Sequence, residues 1–184
     1  MPLLLWRRLI LGSCLFLLLE SSGALGKTGK EQTSFDADPS SQVTRPVSLP
    51  GSVLQILAQD SEVAACRKEN PVPSEASLAS WFVASEIHLD GADEADLVVL
   101  PLAQGNLLMC FHSVEGIGWF WVFRQVGAHY ELVLKAAGLG LVIRDVRHHG
   151  YRDIQSGFAF GTHSSQTTYR FENGEYRKYR SESQ

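Results

Sequence analysis

The spacing of apolar residues along the chain predicts a helix followed by strands. Apolar side chains recur at intervals of three and four between residues 51 and 68, after Pro50 and before the NPVP sequence that begins at Asn70. This pattern predicts one amphipathic helix over about residues 51–68. The polar segment 27–48 holds few apolar side chains, and we predict a disordered linker there.

From about residue 76 the pattern changes to short apolar or alternating runs, separated by Gly, Asp, Asn and His. The runs cover residues 80–89, 95–102, 106–114, 117–125, 129–136, 139–146, 153–161 and 167–179. A spacing of roughly ten residues between short strands is typical of an antiparallel β domain. We therefore predict a mainly β fold with one N-terminal helix, forming a single domain over residues 49–180 with its strands in 76–180. Residues 181–184 are predicted to be a tail.

The last of these runs contains a clear hairpin signal. Asn173-Gly174 is the kind of two-residue turn that supplies two positive φ angles. It predicts that Phe171 pairs with Tyr176 and that Tyr169 pairs with Lys178. The aromatic side chains of this hairpin should point into the core.

The first 26 residues have the composition of a secretory signal peptide. A basic end is followed by an apolar run over residues 9–19 and by small residues around Ala24. The run is shorter than the roughly 20 residues of a membrane span, and no later segment is longer. These features predict a secreted or periplasmic chain without a membrane span. A rival interpretation takes Leu11-Gly12-Ser13-Cys14 as a lipoprotein cleavage site, but the apolar run continues past Cys14.

Charge and cysteine content narrow the function classes. Removal of residues 1–26 leaves 14 basic and 19 acidic residues, a formal charge of −5. Nucleic acid is therefore not an expected partner, because binding it calls for a concentrated basic face. Cys66 and Cys110 remain in a compartment that permits disulfides. The sequence leaves open whether they are bonded, and neither lies in a C-x-x-C motif.

Two loops of the chain share one plan. HLDGADEADLVV at residues 88–99 and DVRHHGYRDIQS at residues 145–156 each place a polar turn before an acidic residue and an apolar strand. They resemble the calcium loops of FG-GAP and VCBS-type repeats, the blade-forming units of integrin-like propellers. The resemblance implies sheets like one or two propeller blades.

Both loops depart from the ligand set of those repeats. In the second loop, Arg147 and His149 stand where carboxylates belong, and a guanidinium would repel calcium, which prefers carboxylate oxygens. In the first loop, His88 replaces the first ligand and Ala92 the third. We therefore predict loops that kept their shape without an ion, and we assign no metal and no cofactor.

The histidines of the second loop are the main candidates for chemistry. His148, His149 and Asp153, together with His163, could converge on a zinc ion or an acid–base site. Adjacent side chains on extended backbone point to opposite faces, so His148 and His149 cannot easily share one ion. The chain has no serine-nucleophile elbow, phosphate-binding loop or HExxH helix. No residue is therefore predicted to be catalytic.

The sequence GWFWVF places Trp119, Trp121 and Phe123 on one face of a strand and other apolar residues on the opposite face. Exposed aromatic rows stack sugars or anchor partner proteins. Strands that are apolar on both faces are more often central strands covered twice. Core packing is the favoured interpretation, and Trp119 and Trp121 remain candidate binding residues together with His148, His149 and Asp153.

The favoured function is an exported, non-enzymatic binding or interaction module with a protein or glycan partner. One alternative is an inhibitor of a secreted hydrolase, acting through a rigid loop at residues 112–118. The other is a hydrolase or metal-dependent enzyme built around His148, His149 and Asp153. The sequence does not predict an oligomeric state.

Overall fold

The computed structural model describes residues 30–38, 43–72, 74–102 and 105–183. The predicted signal peptide over residues 1–26, which includes Cys14, lies outside them. Within the described residues the strands are β1 Ser34–Asp36, β2 Pro46–Val47, β3 Phe82–Ile87, β4 Asp96–Pro101, β5 Gly118–Val126, β6 His129–Gly138, β7 Gly140–His148, β8 Tyr151–Phe160, β9 His163–Glu172 and β10 Glu175–Ser183. The helices are α1 Gly51–Gln59, α2 Ser61–Glu69, α3 Glu75–Leu78 and α4 Asn106–Phe111, with a 3-10 turn at Ala79–Trp81.

The strands form two five-stranded antiparallel sheets, so the predicted mainly β fold is confirmed. The order of the first, here called the middle sheet, is β2-β3-β4-β5-β6. The order of the second, the outer sheet, is β1-β7-β8-β9-β10. Each sheet is therefore a meander of four consecutive strands with one short strand from the N-terminal segment added at its edge.

An apolar cluster holds the two sheets together. Phe120 and Val122 of the middle sheet pack with Phe35, Leu141 and Ile154 of the outer sheet, and all five side chains are almost inaccessible to solvent. Successive residues of a strand point to opposite faces, so the neighbours of Phe120 and Val122 on β5 must point away from this cluster.

The opposite face of the middle sheet is covered by the helices. Trp121 and Phe123 of β5 pack with Val53 and Leu57 of α1 and with Val63 of α2. The result is three layers: helices, middle sheet and outer sheet. Strand β5 is the central strand covered on both faces that its apolar sequence predicts.

The predicted single helix over residues 51–68 is wrong in one respect, because it is two helices that meet at Asp60. Asp60 has an extended backbone, and one carboxylate oxygen accepts hydrogen bonds from the backbone N–H groups of Glu62 and Val63. An aspartate that caps a helix in this way starts a new helix and ends the preceding one.

The strand predicted at residues 106–114 is also wrong, since this segment contains α4. Short apolar runs have no period that separates helix from strand, and long-range contacts decide between them. Here the ring of Phe111 packs against those of Trp81, Phe82 and Trp121 in tilted and edge-on geometry.

Both ends of the domain are more ordered than the sequence predicts. Part of the predicted disordered linker forms β1 and β2, because Phe35 is 2% exposed in the shared core and β1 pairs with β7. Ala37 is also buried, Val43 and Val47 pack against the two apolar clusters, and Glu31 pairs with the buried Arg152, so several contacts order this polar segment. At the other end, β10 continues to Ser183, beyond the predicted start of the tail.

The register of the last hairpin is the predicted one. Phe171 is opposite Tyr176 and Tyr169 is opposite Lys178. Asn173 and Gly174 both have positive φ. The Phe171 and Tyr176 side chains are buried, and Tyr169 packs against the same cluster.

Candidate functional site

The two cysteines of the predicted exported chain are close enough to be bonded. Their sulfur atoms are 2.15 Å apart and the Cα atoms of Cys66 and Cys110 are 5.4 Å apart, within the range of disulfides. The side-chain amide of Asn70 donates to the Cys110 sulfur at 3.3 Å. This bridge fixes α4 to the end of α2.

Exposed apolar side chains are concentrated on both sides of Cys110 along the chain. Of five large apolar side chains that are exposed in the described part of the chain, three lie between residues 106 and 118. Leu108 is 36% exposed, Met109 74% and Val114 90%. We call these three residues the α4 surface. Large apolar groups gathered on one surface are typical of sites for partner molecules.

The turn that carries Val114 is held by its own hydrogen bonds. The Ser113 hydroxyl oxygen accepts from the backbone N–H groups of Glu115 and Ile117, at 3.2 and 3.3 Å. The Ser113 N–H donates to the Ile117 carbonyl oxygen at 2.8 Å, and the Gly116 N–H donates to the Ser113 carbonyl oxygen at 3.0 Å. Gly116 has a φ of 79°, which a glycine adopts without strain. The turn therefore presents Val114 from a defined backbone.

The base of this segment is buried. A side chain at Gly118 would lie 2.8 Å from the Ala37 Cβ atom and 2.9 Å from the His112 ring, so only glycine fits there. Burial of His112 lowers its pKa, because the charged imidazolium is poorly solvated at this position. His112 is therefore neutral at pH 7 and packs as an uncharged ring beneath the turn.

The two predicted binding tryptophans have different environments. Trp121 is fully buried, and its indole N–H has no hydrogen-bond partner within the described residues. It has no surface to offer a partner in this structure. Trp119 is only partly buried, and the Lys135 ammonium group lies 4.7 Å from the centre of its ring.

The two loops of similar sequence lie side by side. Each joins the first two strands of its meander, β3 to β4 in the middle sheet and β7 to β8 in the outer sheet. The Leu89 carbonyl oxygen of the first loop accepts two hydrogen bonds from the second loop and its strand. One comes from the backbone N–H of Arg152 at 2.7 Å, and the other comes from the Arg147 guanidinium at 3.2 Å. The loops therefore stabilise each other directly.

In the first loop, Asp96 organises the backbone. Its side chain is buried, one oxygen accepts the Leu89 N–H at 2.8 Å, and the other accepts the Gln125 N–H at 2.9 Å. Burial raises the pKa of Asp96, and these two hydrogen bonds partly oppose the rise. Both oxygens are engaged within the protein. Asp90 caps the same loop, because it accepts the Ala92 N–H at 2.8 Å.

The second loop is a tight hairpin turn. His149 and Gly150 have φ angles of 52° and 86°, and His148 pairs with Tyr151 across the turn. The Arg147 guanidinium donates to the Gly150 carbonyl oxygen at 2.9 Å and occupies the concave side of the turn. In neither loop, nor elsewhere among the described residues, do three His, Cys, Asp or Glu side chains form a group that could hold a metal ion.

The structure brings together two of the four residues that the sequence offered as a candidate zinc or acid–base site, His148 and Asp153. His148 Nδ1 lies 2.7 Å from one oxygen of Asp153, whose side chain is 7% exposed. Arg170, which sequence reasoning missed, lies 3.4 Å from the other oxygen. His149 occupies the turn itself, and His163 begins β9 at the far end of the outer sheet. Arg170 lies on β9 opposite Asp153 on β8. A predicted register between these two strands would therefore have indicated Arg170.

Comparison of the chain with protein-family models, with curated proteins and with solved structures finds no match. Over the residues that the structure describes, no helix has the length and hydropathy needed to cross a membrane.

Proposed function

We propose that this chain is an exported, non-enzymatic binding module that docks a partner protein through the α4 surface. Export is inferred from the signal-like sequence at residues 1–26. The observation that carries the proposal is the exposure of Leu108, Met109 and Val114 on a segment that a disulfide and a hydrogen-bonded turn hold in place.

The energetics of the α4 surface favour association. Burial of a Met or Val side chain against a partner stabilises a complex by roughly 1.5–3 kcal/mol for each side chain. A fixed backbone loses little conformational freedom on binding, so less of this gain is offset. Met adapts its shape to irregular surfaces, which suits Met109 to the edge of a partner's pocket.

The inhibitor alternative, a rigid loop at residues 112–118 that enters the cleft of a secreted hydrolase, uses part of the same segment. The hydrogen bonds within residues 113–117 and the exposure of Val114 suit such a loop as well as a docking surface. The exposure of Leu108 and Met109 on α4 favours the broader docking surface, because these two residues lie outside the loop.

The enzyme alternative is supported by one contact, between His148 and the buried Asp153 carboxylate. Such a pair orients an imidazole for proton transfer. Among the described hydrogen bonds, no hydroxyl or thiol group contacts His148. A binding module accounts for the exposed apolar residues, and a His–Asp pair at a hairpin turn also has a structural role.

Site-specific photo-cross-linking tests the proposal. The mature chain, residues 27–184, would carry a benzophenone amino acid at position 114 in one sample and at position 146 in another. Val146 is a matched control because it is 54% exposed but lies on the outer sheet. In extracellular extract, we expect a cross-linked product from position 114 that excess unlabelled chain suppresses and excess Val114→Glu chain does not. Equal products from the two positions would overturn the proposal.

A further inference from the structure

A second candidate site lies on the outer sheet, away from the α4 surface. The strand register places five residues in one row across this sheet: Asp36, Gly140, Gly157, Gln166 and Glu182. Residues directly opposite each other on paired strands share a face of the sheet. The second and third positions of the row, Gly140 and Gly157, have no side chain, so the row forms a trough with a backbone floor.

The trough opens to solvent. The adjacent row contains Leu141, Ser156 and Thr167, which are buried towards the middle sheet. Side chains alternate along strands, so the row with the two glycines faces outward. The space over Gly140 and Gly157 has a volume of about 410 Å³. This volume is within the range of about 300–1,000 Å³ that small-molecule sites occupy.

The surroundings of Gly140 favour glycine, whereas those of Gly157 leave room for a side chain. A Cβ atom at Gly140 would lie 3.1 Å from the Phe35 carbonyl oxygen, so packing against β1 favours glycine there. A Cβ atom at Gly157 would meet no heavy atom closer than 3.8 Å, and Gly157 does not have a positive φ. Glycine inside a strand lowers stability and often marks close approach of a ligand. Neither the space nor the backbone conformation at position 157 calls for glycine. The trough, in contrast, stays open only if this position has no side chain.

The walls of the trough suit a ligand rich in hydroxyl groups. Gln166 supplies an amide group that both donates and accepts hydrogen bonds, and Ser164 and Ser165 lie at one end. The Gln155 NH2 group donates to the Thr168 hydroxyl oxygen at 3.1 Å, so its amide oxygen is the group that it offers to a ligand. Glu182 forms an ion pair with Arg180 of the same strand. Among the described residues that line the trough, none is basic, so the lining offers no cation to a phosphate, sulfate or carboxylate ligand.

We propose that this trough binds a neutral saccharide. The flat floor admits the face of a sugar ring, and Val142 at its side provides apolar contact for C–H groups. The amide and hydroxyl groups of Gln155, Gln166 and Ser164 then bond the ring hydroxyls, which act as donors and acceptors. The floor of the trough, at Gly140 and Gly157, belongs to β7 and β8, which are paired with strands on both sides, so the floor offers no free strand edge to which a peptide could pair. This site is independent of the proposed protein partner.

The test is a substitution that fills the trough without disturbing the fold. Gly157→Val adds a β-branched side chain to a strand position with open space, so the thermal midpoint should stay the same or rise. The mature chain would be screened against immobilised neutral, N-acetylated, sialylated and sulfated oligosaccharides. Affinity for the best neutral ligand, measured by calorimetric titration, should fall about tenfold or more in Gly157→Val, because the added methyl groups overlap the ligand position.

A matched control introduces the same residue elsewhere on the same face. Arg177→Val places valine on the outer sheet, near the turn at residues 173–174 and remote from the trough. It should bind the saccharide as the unmodified chain does. The proposal is overturned if the unmodified chain binds no neutral saccharide, if it binds anionic saccharides only, or if folded Gly157→Val retains full affinity.

Discussion

Replacement of Asp96 by Asn should destabilise the domain although the two side chains have nearly the same size. The two carboxylate oxygens of Asp96 accept one backbone N–H each, from Leu89 and from Gln125. An asparagine has one oxygen, so its NH2 group would face the second donor. A buried donor left without a partner costs about 1–3 kcal/mol.

This cost should be visible in equilibrium unfolding of the mature chain followed by tryptophan fluorescence. The expected loss corresponds to a decrease of roughly 2–12 °C in the thermal midpoint of a domain of this size. Asp96→Ala leaves both donors unpaired and should cost about twice as much. Asp90→Asn is the control, because Asp90 accepts a single N–H that an amide oxygen can also accept. If Asp96→Asn is as stable as the unmodified chain, Asp96 does not organise the loop in the way described here.

The difference in the free energy of unfolding between the unmodified chain and Asp96→Asn should depend on pH, because Asp96 titrates with a raised pKa. Burial raises that pKa in the folded chain above its ordinary value of 3.8, so the folded state binds a proton at higher pH than the unfolded state. The stability contributed by Asp96 therefore decreases as pH rises from about 3.8 to the raised pKa, and is constant above it. Asparagine does not titrate. The difference in the free energy of unfolding between the two chains should be larger at pH 4 than at pH 7.

Four further outcomes are expected. Replacement of Cys66 and Cys110 by Ser should lower the free energy of unfolding by roughly 4 kcal/mol, and a reductant should then no longer change the urea midpoint. Asp153→Ala should cost about 1–2 kcal/mol because it removes the hydrogen-bond partner of His148 and the ion-pair partner of the partly exposed Arg170, while His148→Ala should cost about 1 kcal/mol or less; loss of a hydrolytic activity with an unchanged melting temperature would instead support the enzyme alternative. Asn173→Ala should cost about 1 kcal/mol at its positive φ in chemical denaturation, and Asn173→Gly should not. Calcium, zinc and chelator should leave the thermal midpoint unchanged, whereas an ion at a hundred times its dissociation constant would add about 2.7 kcal/mol.

Local signals predicted the parts of the fold that depend on local chemistry. The turn at Asn173-Gly174 needs two positive φ angles, and few residue pairs supply them, so its register could be predicted. The alternation of aromatic and aliphatic residues on β5 correctly indicated a strand covered on both faces. The start of α2 was missed, although Asp60 followed by Ser61 and Glu62 is a helix-capping sequence, because the apolar spacing continues through it.

The features that sequence reasoning missed depend on distant contacts. Residues 106–111 are apolar in a way that suits a helix or a strand, and the packing of Phe111 and the bridge from Cys66 select the helix. The position of Phe35 in the core depends on pairing with β7, about a hundred residues later. The trough was missed for the same reason, because Gly157 is informative only beside Gly140. The loop at residues 112–118 was named as a candidate, but the exposure of Leu108 and Met109 was missed because the segment was predicted to be a strand.

The strands β1 and β2 affect the order in which the two sheets can form. Strand β1 pairs with residues 140–142, and β2 pairs with β3 in the other sheet, so one short stretch of chain closes an edge of both sheets. Residues 34–36 must therefore wait until residues 140–142 have been synthesised before their strand hydrogen bonds can form. Such non-local pairing makes folding slow. We expect a deletion or an insertion within residues 30–38 to act on a late step of folding, although this segment precedes both meanders along the chain.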